Sequence, residues 1–480
     1  MPELAFVGPT YAGRSPNLDA SRCVNFFPEL SPSADHKSFA ALVGTPGTVL
    51  RATLPKAPVR ALHVFNGVRY AVGGDTLYSL SADHSVSILG TLGTHQGPVS
   101  MCDNGVSGAG SVGGNQLLLC DGAQKYVFSL LTGALTTVLG ASDVATFLDG
   151  YFVANVAGTM SYQVSDLYDG TVWNALASSP VASSPDSLKA VASLAQQLWC
   201  IKEYTAEVWY DAGVPTSQGS PFLRLSGAVV DVGTPAPYSV ARGANSLFWL
   251  AQERTGNGAA LFGAVQLSGY QPLPITPPGI VWRWSQYARV DDAIGWCQAA
   301  EGHVFYWLTF PTANATWVYD ATTKMWHERS SVAPFVTQGR HLANCYAAWN
   351  GTHYVGDYNS GRLLELRGDA YTDAGNPIIS IRTTPHQFDR GNLKNFTVRR
   401  LVVDAEGGVG NAACPDPHAY LSWAVDGGHV FGNEYPAPMG KVGEYGTRLV
   451  WRKLGYAPDR VWRLLISDPV KRVILGARWE

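Results

Sequence analysis

Few residues of this chain have the types and spacing that catalysis or cofactor binding requires. The segment Gly108-Ala-Gly-Ser-Val-Gly113 matches the glycine pattern of dinucleotide-binding loops, which set a pyrophosphate against a helix N-terminus. Here it follows a loop and precedes the strand-like run 116–120, so it cannot build that site. Asp291 and Asp292 are adjacent and would point to opposite faces of a strand, whereas the carboxylates of a glycosidase flank one bond. Carboxylates from distant repeats could still meet, so the sequence does not exclude a glycosidase.

The sequence also lacks motifs for metal binding and for nucleophilic catalysis. The eleven histidines are scattered without metal-ligand spacing, and the chain contains neither an H-E-x-x-H helix nor a G-x-S-x-G elbow. Gly440-Lys441 lacks the upstream glycine and the Ser/Thr of a phosphate loop. The cysteines are at least 18 residues apart, which predicts single buried thiols made in a reducing compartment: Cys23, Cys102, Cys120, Cys200, Cys297, Cys345 and Cys414. We expect no enzyme activity, no metal and no cofactor.

One hairpin-like motif has a counterpart in glycan-cleaving proteins. The run Ala424-Val-Asp-Gly-Gly-His-Val-Phe431 resembles the Asp box of sialidases and other propellers, in which the aspartate organises a turn. The motif is structural in those families, and the sialidase arginine signature is absent from this chain. We interpret it as a turn. A glycan-binding or glycan-cleaving propeller, and a protein-interaction propeller of a host cell, remain alternatives.

The composition favours a β-rich protein without a strong electric field. With 34 basic and 37 acidic residues the net charge is −3, which argues against a protein that grips phosphate backbones or anionic membranes. Aromatic residues make up 11% of the chain and charged residues 15%, a balance typical of large buried β surfaces. The N-terminus lacks a secretion signal, and no apolar run approaches the roughly 20 residues that span a bilayer. We expect a soluble protein without membrane insertion.

A turn followed by an aromatic-rich apolar strand recurs seven times within residues 58–372. From Gly67 to Gly351 the turns span 284 residues, about 47 per interval. This period fits the roughly 40–50 residues of a four-stranded propeller blade. The occurrences are 65–70, 114–119, 148–153, 195–200, 244–249, 301–306 and 350–355.

These elements predict an all-β fold of three parts. Residues 58–372 form a β-propeller of six or seven four-stranded blades with little helix. Residues 1–57 are rich in proline and read as an extended N-terminal arm outside the core, which could supply the strand that closes the ring. Residues 373–480 lose the repeat and carry longer strands, which predicts a C-terminal β-sandwich-like domain.

The end of the C-terminal domain is unusually basic. From Arg448 to Arg478 there are eight basic and two acidic residues. They form either the polar faces of alternating strands or a docking surface for an acidic partner. The candidate docking residues are Arg448, Arg452, Lys453, Arg460 and Arg463.

Short motifs spread over the chain resemble the packaged-DNA stabilisation proteins of short-tailed phages, the tail hub or nozzle subunits. They begin with Tyr11-Ala-Gly-Arg-Ser15 and Arg22-Cys-Val-Asn-Phe-Phe-Pro-Glu29 and continue with Gly44-Thr-Pro-Gly47. Further matches are Gly269-Tyr270, Thr276-Pro277, 302–306, Phe310-Pro311, 316–320, 326–329, 371–375, 426–428, 440–445, 451–455, Asp459-Arg460 and 466–469. The 105–114 glycine-rich loop has no counterpart in that family.

The resemblance implies a structural virion protein. It implies a homohexameric ring beneath the portal–adaptor ring that seals packaged DNA and forms the exit path for duplex DNA at ejection. Tail fibre, spike or needle proteins would be further partners. The protein would be assembled in the bacterial cytoplasm and reside in the phage tail, and near-zero net charge suits a passage through which DNA slides.

Overall fold

The computed structural model describes residues 3–11, 13–31, 38–108, 112–256, 258–332, 338–389 and 394–480. In this part of the chain 44 strands accompany one α-helix and one short 3-10 helix, which confirms the all-β prediction. Residues 109–111 of the glycine pattern and Ala12 of the first family motif lie outside the described residues.

The N-terminal segment, residues 1–57, contains five short strands that pair with partners far away in sequence. They are β1 (Glu3–Leu4), β2 (Arg22–Val24), β3 (Phe26–Leu30), β4 (Ala40–Gly44) and β5 (Gly47–Thr53). Cys23, Val24, Phe26 and Phe27 are buried, which corrects the prediction of an arm outside the core. The prolines keep each strand short, but every strand completes a sheet built elsewhere, so no local pattern reveals its burial.

Residues 58–377, together with β5 of the N-terminal segment, form seven blades. Blade 1 is β6 (Val59–Phe65), β7 (Val68–Gly73), β8 (Thr76–Leu80) and β9 (Val86–Thr91); blade 2 is β10 (Ser100–Asp103), β11 (Gln116–Cys120), β12 (Lys125–Ser129) and β13 (Leu135–Val138). Blade 3 is β14 (Ala145–Leu148), β15 (Tyr151–Asn155), β16 (Ser161–Val164) and β17 (Ser178–Pro180); blade 4 is β18 (Leu188–Leu194), β19 (Gln197–Lys202), β20 (Ala206–Asp211) and β21 (Phe222–Val230).

The remaining blades follow the same antiparallel order. After a 3-10 helix (Pro237–Ser239), blade 5 is β22 (Ala241–Gly243), β23 (Ser246–Thr255), β24 (Gly258–Ser268) and β25 (Gln271–Pro274). Helix α1 (Pro278–Ser285) precedes blade 6, which is β26 (Ile294–Ala300), β27 (His303–Phe310), β28 (Ala315–Asp320) and β29 (Met325–Arg329). Blade 7 is β30 (Ala343–Trp349), β31 (Thr352–Asp357), β32 (Arg362–Arg367) and β5, with β33 (Thr372–Asp373) and β34 (Asn376–Pro377) attached.

The repeated turns found in the sequence join the first and second strands of the blades. In six blades both turn residues have positive φ, as type I′ hairpins require: Asn66–Gly67, Asp149–Gly150, Ala195–Gln196, Ala244–Asn245, Glu301–Gly302 and Asn350–Gly351. Blade 2 departs from this pattern because the glycine-rich loop separates β10 from β11. The turns therefore set the 47-residue period.

The ring is closed by apolar packing and by β5. A cluster of buried side chains lies between each pair of neighbouring blades, including blades 7 and 1, where Leu54 and Leu363 meet Val59 and Tyr78. The other interfaces have clusters of their own. Strand β5 pairs antiparallel with β32 and supplies the outer strand of blade 7. The prediction that the N-terminal segment closes the ring is confirmed.

The C-terminal part is a two-sheet sandwich. Its strands are β35 (Ser380–Thr383), β36 (Gln387–Phe388), β37 (Phe396–Thr397), β38 (Arg400–Ala405), β39 (His418–Ala424), β40 (Tyr435–Pro438), β41 (Leu449–Arg452), β42 (Tyr456–Ala457), β43 (Asp459–Ile466) and β44 (Val473–Trp479). One sheet has the order β3-β4-β44-β38-β41, and the other contains β35-β43-β39-β40. Their shared core includes Phe26, Leu401, Leu421, Trp462 and Ile474.

Propeller and sandwich share one continuous sheet. Strand β2 pairs in parallel with β29 of blade 6 and antiparallel with β35 of the sandwich. The result is a ten-stranded sheet that runs from the first strand of blade 6 to β40. No helix within the described residues is long and apolar enough to span a bilayer.

Candidate docking surfaces and the junction of propeller and sandwich

The family-like motif Arg22-Cys-Val-Asn-Phe-Phe-Pro-Glu29 lies at the junction of the two parts. Asn25, with φ 55° and 1% exposure, follows β2. Its Nδ2 donates hydrogen bonds to the carbonyls of Ser330 at 2.9 Å and Ile379 at 2.8 Å, and its Oδ1 accepts one from the Ser330 amide at 3.0 Å. One amide side chain therefore ties the end of blade 6 to the segment that enters the sandwich.

Two arginines reinforce this junction. Arg22 makes a two-point ion pair with Glu328 of blade 6, at 3.0 Å and 2.6 Å, and this carboxylate raises the pKa of the guanidinium. Arg382 of β35 is buried and donates to the carbonyls of Phe6, Pro9 and Arg22. The motif is visible in the sequence but this role is not, because the partners of β2 are about 300 and 360 residues away in the chain.

Three of the five predicted docking residues are exposed in one region of the sandwich. Arg448 and Arg452 lie on the outer face of the sheet that contains β38 and β41, since Leu449 and Trp451 between them point into the core. Lys453 follows in the adjoining turn with φ 59°. A groove of about 570 Å³ crosses this face and is lined by Arg448, Arg400 and Arg478 among others.

The outer face is less basic than the sequence run suggests. Glu3 of β1 pairs with Arg478 at 3.0 Å, Glu480 lies 3.9 Å from Arg400, and Asp404 also lines the groove. Glu3 and Asp404 come from other strands, whereas Glu480 directly follows β44, the strand that contains Arg478. The eight-to-two excess within 448–478 is thereby partly balanced in the folded protein.

Arg463 lies apart from these residues, in a cleft of about 430 Å³ between blade 6 and the sandwich. Its Nε donates to the Ser422 hydroxyl at 3.0 Å, its guanidinium lies 3.4 Å from Glu434, and it stacks 4.4 Å above the Phe431 ring. Phe431 ends the Asp-box-like hairpin, where Asp426 accepts backbone hydrogen bonds from His429 and Val430. That motif is a turn, as interpreted from the sequence.

Arg460 is buried, and this corrects its placement on a docking surface. It is 1% exposed, its Nη1 donates to the Leu454 carbonyl at 2.8 Å, and its guanidinium lies 5.3 Å from the Trp462 ring. Burial lowers its pKa. The cause is strand alternation, because Arg460 shares the core-facing side of β43 with Trp462 and Leu464. Arg472 of the same basic run is also buried.

The residues considered for catalysis do not converge. Asp291 pairs with Arg289 at 2.7 Å, whereas Asp292 accepts a hydrogen bond from the Thr312 amide. All seven cysteines are free thiols, and burial raises the pKa of Cys23 to about 12. Within the described ranges no group of three or more His, Cys, Asp and Glu side chains is arranged to hold a metal ion.

A small cavity lies at the centre of the propeller. Its volume is about 190 Å³, and residues from blades 1, 2, 3, 6 and 7 and from the 3-10 helix line it, including Arg60, Ser100, Tyr238 and Tyr346. Duplex DNA is much wider than this cavity, since its major groove alone accommodates an α-helix about 10 Å across. A cavity of this volume is too small to hold duplex DNA.

Comparison with known proteins identifies the family. The model described as the β-propeller of bacteriophage P22 Gp10 matches residues 8–371, and the model of the Gp10 β-sandwich matches residues 381–480. No curated protein matches the chain.

Three solved structures resemble the chain distantly. The computationally designed Ika8 protein is 12% identical with a TM-score of 0.36 (66% of this chain, 100% of that chain). The N-terminal domain of Nup159 is 10% identical with a TM-score of 0.37 (72% and 98%). PorZ of the type-IX secretion system of Porphyromonas gingivalis is 12% identical with a TM-score of 0.37 (82% and 46%). Scores at this level carry no functional argument.

The two family matches follow each other along the chain and correspond to the propeller and the sandwich described above. The chain therefore belongs to the bacteriophage P22 Gp10 family of packaged-DNA stabilisation proteins, structural components of the short phage tail.

Proposed function

We propose that this chain is the hub or nozzle subunit of its phage tail. Copies of the chain, six by resemblance to the family, form a ring that docks beneath the portal–adaptor ring, retains packaged DNA and provides the channel for ejection. The subunit acts without enzymatic chemistry. It is assembled in the host cytoplasm before it becomes part of the virion.

The small central cavity of the propeller is the observation that carries this proposal. At about 190 Å³ it is too small to hold duplex DNA. A DNA channel built from this protein must therefore lie between several copies. A closed ring is the symmetric solution, because a head-to-tail interface whose rotation closes leaves no unpaired end.

The ten-stranded sheet that joins propeller and sandwich supports a mechanical role for the subunit. Blade 6, β2 and strands of the sandwich belong to one hydrogen-bonded sheet. Asn25 and Arg22, on either side of the β2 residue that pairs with blade 6, add side-chain contacts to Ser330 and Glu328. A force applied to the sandwich is thus transmitted to the propeller through backbone hydrogen bonds. This suits a subunit that holds its place against the pressure of packaged DNA.

The exposed basic residues of the sandwich are the proposed contact with the adaptor. Arg448, Arg452 and Lys453 remain candidates, and Arg463 marks a second surface in the cleft. Tail fibre, spike or needle proteins would occupy other faces of the ring. Charge complementarity of this kind sets the association rate and the orientation of docking.

Electron microscopy of the purified protein, alone and mixed with the portal–adaptor complex of its own virus, tests the proposal. The expected class averages show a sixfold ring that caps the adaptor around a hole wide enough for duplex DNA. Isolated propellers that ignore the adaptor would refute it.

A charge-reversal pair tests the docking surface. Arg448→Glu with Arg452→Glu should slow attachment to the adaptor and make it less dependent on salt. Arg224→Glu with Arg242→Glu makes the same charge change at exposed positions of blades 4 and 5 and serves as the control. Equal attachment of the two variants would move the contact away from the outer face of the sandwich.

A further inference from the structure

A chamber of about 310 Å³ lies between blades 6 and 7. Its walls come from β26, β27, β28, β29, β31 and β32, and Phe27 and Pro46 of the N-terminal segment also border it. Glu301, Gly351 and Gly368 line it and are exposed, so they mark its mouth. The volume is at the lower end of the range of small-molecule pockets, about 300–1,000 Å³.

Aromatic side chains line the chamber, and their neighbours hold them in fixed orientations. Phe27 meets Phe305 edge-on with 5.4 Å between ring centroids. Trp307 stacks on Trp296 at 4.3 Å, and Trp296 stacks in turn on Tyr346 at 4.8 Å. A flat or ring-shaped molecule would find preformed surfaces here, with little reorganisation of the protein on binding.

A buried cation borders the same space. Arg329 lines the chamber at 5% exposure, and its guanidinium lies 4.6 Å from the Trp307 ring. One terminal nitrogen donates to the Pro46 carbonyl at 3.1 Å, while Nε has no hydrogen-bond partner among the described residues. Burial lowers the pKa of Arg329 to about 9, so the side chain is still charged at neutral pH.

Positive charge is in excess around Arg329. Arg472 is buried nearby, and both guanidinium groups act electrostatically on one buried carboxylate, that of Asp373. Burial holds the pKa of His327 at about 3 and that of His341 well below its usual value, so neither adds charge. A buried charge without a full counter-charge is costly, and an anion in the chamber would offset that cost.

The acidic groups near the chamber do not supply this counter-charge. Asp320 accepts hydrogen bonds from His303, Thr323 and the Thr322 amide, and it is absent from the groups that act on Arg329. Glu301 is exposed at the mouth, where water screens its charge. The inner end of the chamber therefore favours an anion.

We propose that this chamber binds a small organic carboxylate, with the carboxylate paired to Arg329 and the ring of the ligand against Phe27, Phe305 and Trp307. An aromatic acid and an acidic sugar both have this chemistry. The site is independent of the hub role, since it lies within one subunit and involves none of the docking residues.

Ligand-observed NMR and calorimetry on the full-length protein test the proposal with three probes: benzoate, D-glucuronate and D-glucose. We expect saturable binding of at least one of the two carboxylates, and binding of glucose that is at least tenfold weaker. Benzoate alone would identify an aromatic acid, and glucuronate alone an acidic sugar. Equal binding of glucose, or no saturable binding of any probe, would overturn the proposal.

Two variants and a matched control locate the site. Arg329→Gln removes the charge and should weaken carboxylate binding about tenfold or more, as loss of a charge-assisted hydrogen bond does. Ala300→Trp fills the chamber without altering Arg329, which keeps the test valid if Arg329→Gln fails to fold. Ala299→Trp adds the same bulk on the exposed opposite face of β26 and should bind like the wild type. Unchanged binding by Ala300→Trp would place the ligand elsewhere and refute the site.

Discussion

Single buried polar side chains hold distant parts of this protein together. Asn25 joins blade 6 to the sandwich, and within blade 4 Lys202 forms ion pairs with two buried carboxylates. Such groups are costly to break because their partners lose their hydrogen bonds inside the protein.

We predict that Asn25→Ala lowers the free energy of unfolding by about 2–4 kcal/mol, because it leaves buried backbone groups of Ser330 and Ile379 without partners. Asn66→Ala is the matched control, since Asn66 also has positive φ but is exposed in a hairpin turn. Thermal unfolding of the two variants measures the difference. Equal losses would assign the effect to backbone conformation alone.

Lys202→Met tests the buried charges of blade 4. Lys202 Nζ lies 2.9 Å from Asp186 and 3.7 Å from Glu207, and all three side chains are fully buried. Loss of the cation should cost about 3–5 kcal/mol. Lys189→Met, which breaks a partly exposed pair 3.9 Å long, should cost under about 1 kcal/mol. A Tm drop of similar size in both would contradict this account.

His303 gives a pH dependence whose sign follows from its partner. The hydrogen bond to Asp320 raises the pKa of His303 above 6.5, and burial opposes the rise only in part. Its stabilising contribution is therefore complete below pH 6.5 and is lost as the pH rises through the higher pKa of the folded state. The Tm advantage of the wild type over His303→Asn should shrink between pH 6 and pH 9. An advantage that grows over this range would be inconsistent with the ion pair.

At the scale of elements, the ring depends on a strand that enters from the N-terminal segment. Strand β5 pairs with β32 over its length and approaches the backbone after β32 very closely at Gly47. A Cβ there would lie 2.5 Å from the carbonyl oxygens of Ala370 and Thr372. Only glycine permits this approach.

Gly47→Val should therefore displace β5 and loosen blade 7, at a cost of about 1–3 kcal/mol or more from overpacking. Proteolysis within residues 47–53 should become faster, and the Tm should fall. Gly446→Val is the control, because a Cβ at Gly446 meets no atom within 4 Å. Protection of residues 47–53 equal to that of the control would show that β5 tolerates the displacement.

At the scale of the whole molecule, the propeller and the sandwich are parts of one sheet. We expect a single calorimetric unfolding transition for the wild type, because the ten-stranded sheet couples the two parts. Asn25→Ala should split or broaden this transition. Two separate transitions in the wild type would mean that the junction transmits little energy between the parts.

Local sequence patterns were sufficient to predict the blade repeat. They were insufficient to predict which charged residues are exposed on the sandwich. The Asn-Gly and Asp-Gly turns of blades 1, 3 and 7 fix hairpin geometry by themselves, and the spacing of the repeated turns predicted six or seven blades. The basic run from Arg448 to Arg478 overstated the charge of the docking surface, since strand alternation buries Arg460 and since Glu3 reaches Arg478 from β1. The alternation around Trp462 was visible in the sequence, but the pairing of Glu3 with Arg478 was not.

The sequence by itself determined the all-β class, the blade period, the family and the lack of a catalytic motif, because these follow from residue type and short-range spacing. Only the tertiary structure decided how the N-terminal segment joins both cores, which arginines are exposed, and that Arg329 borders an aromatic chamber. Those features depend on contacts between residues about 300 positions apart, such as Phe27 with Phe305. Their pairing is set by the closure of the ring and the shared sheet, and no local pattern encodes it.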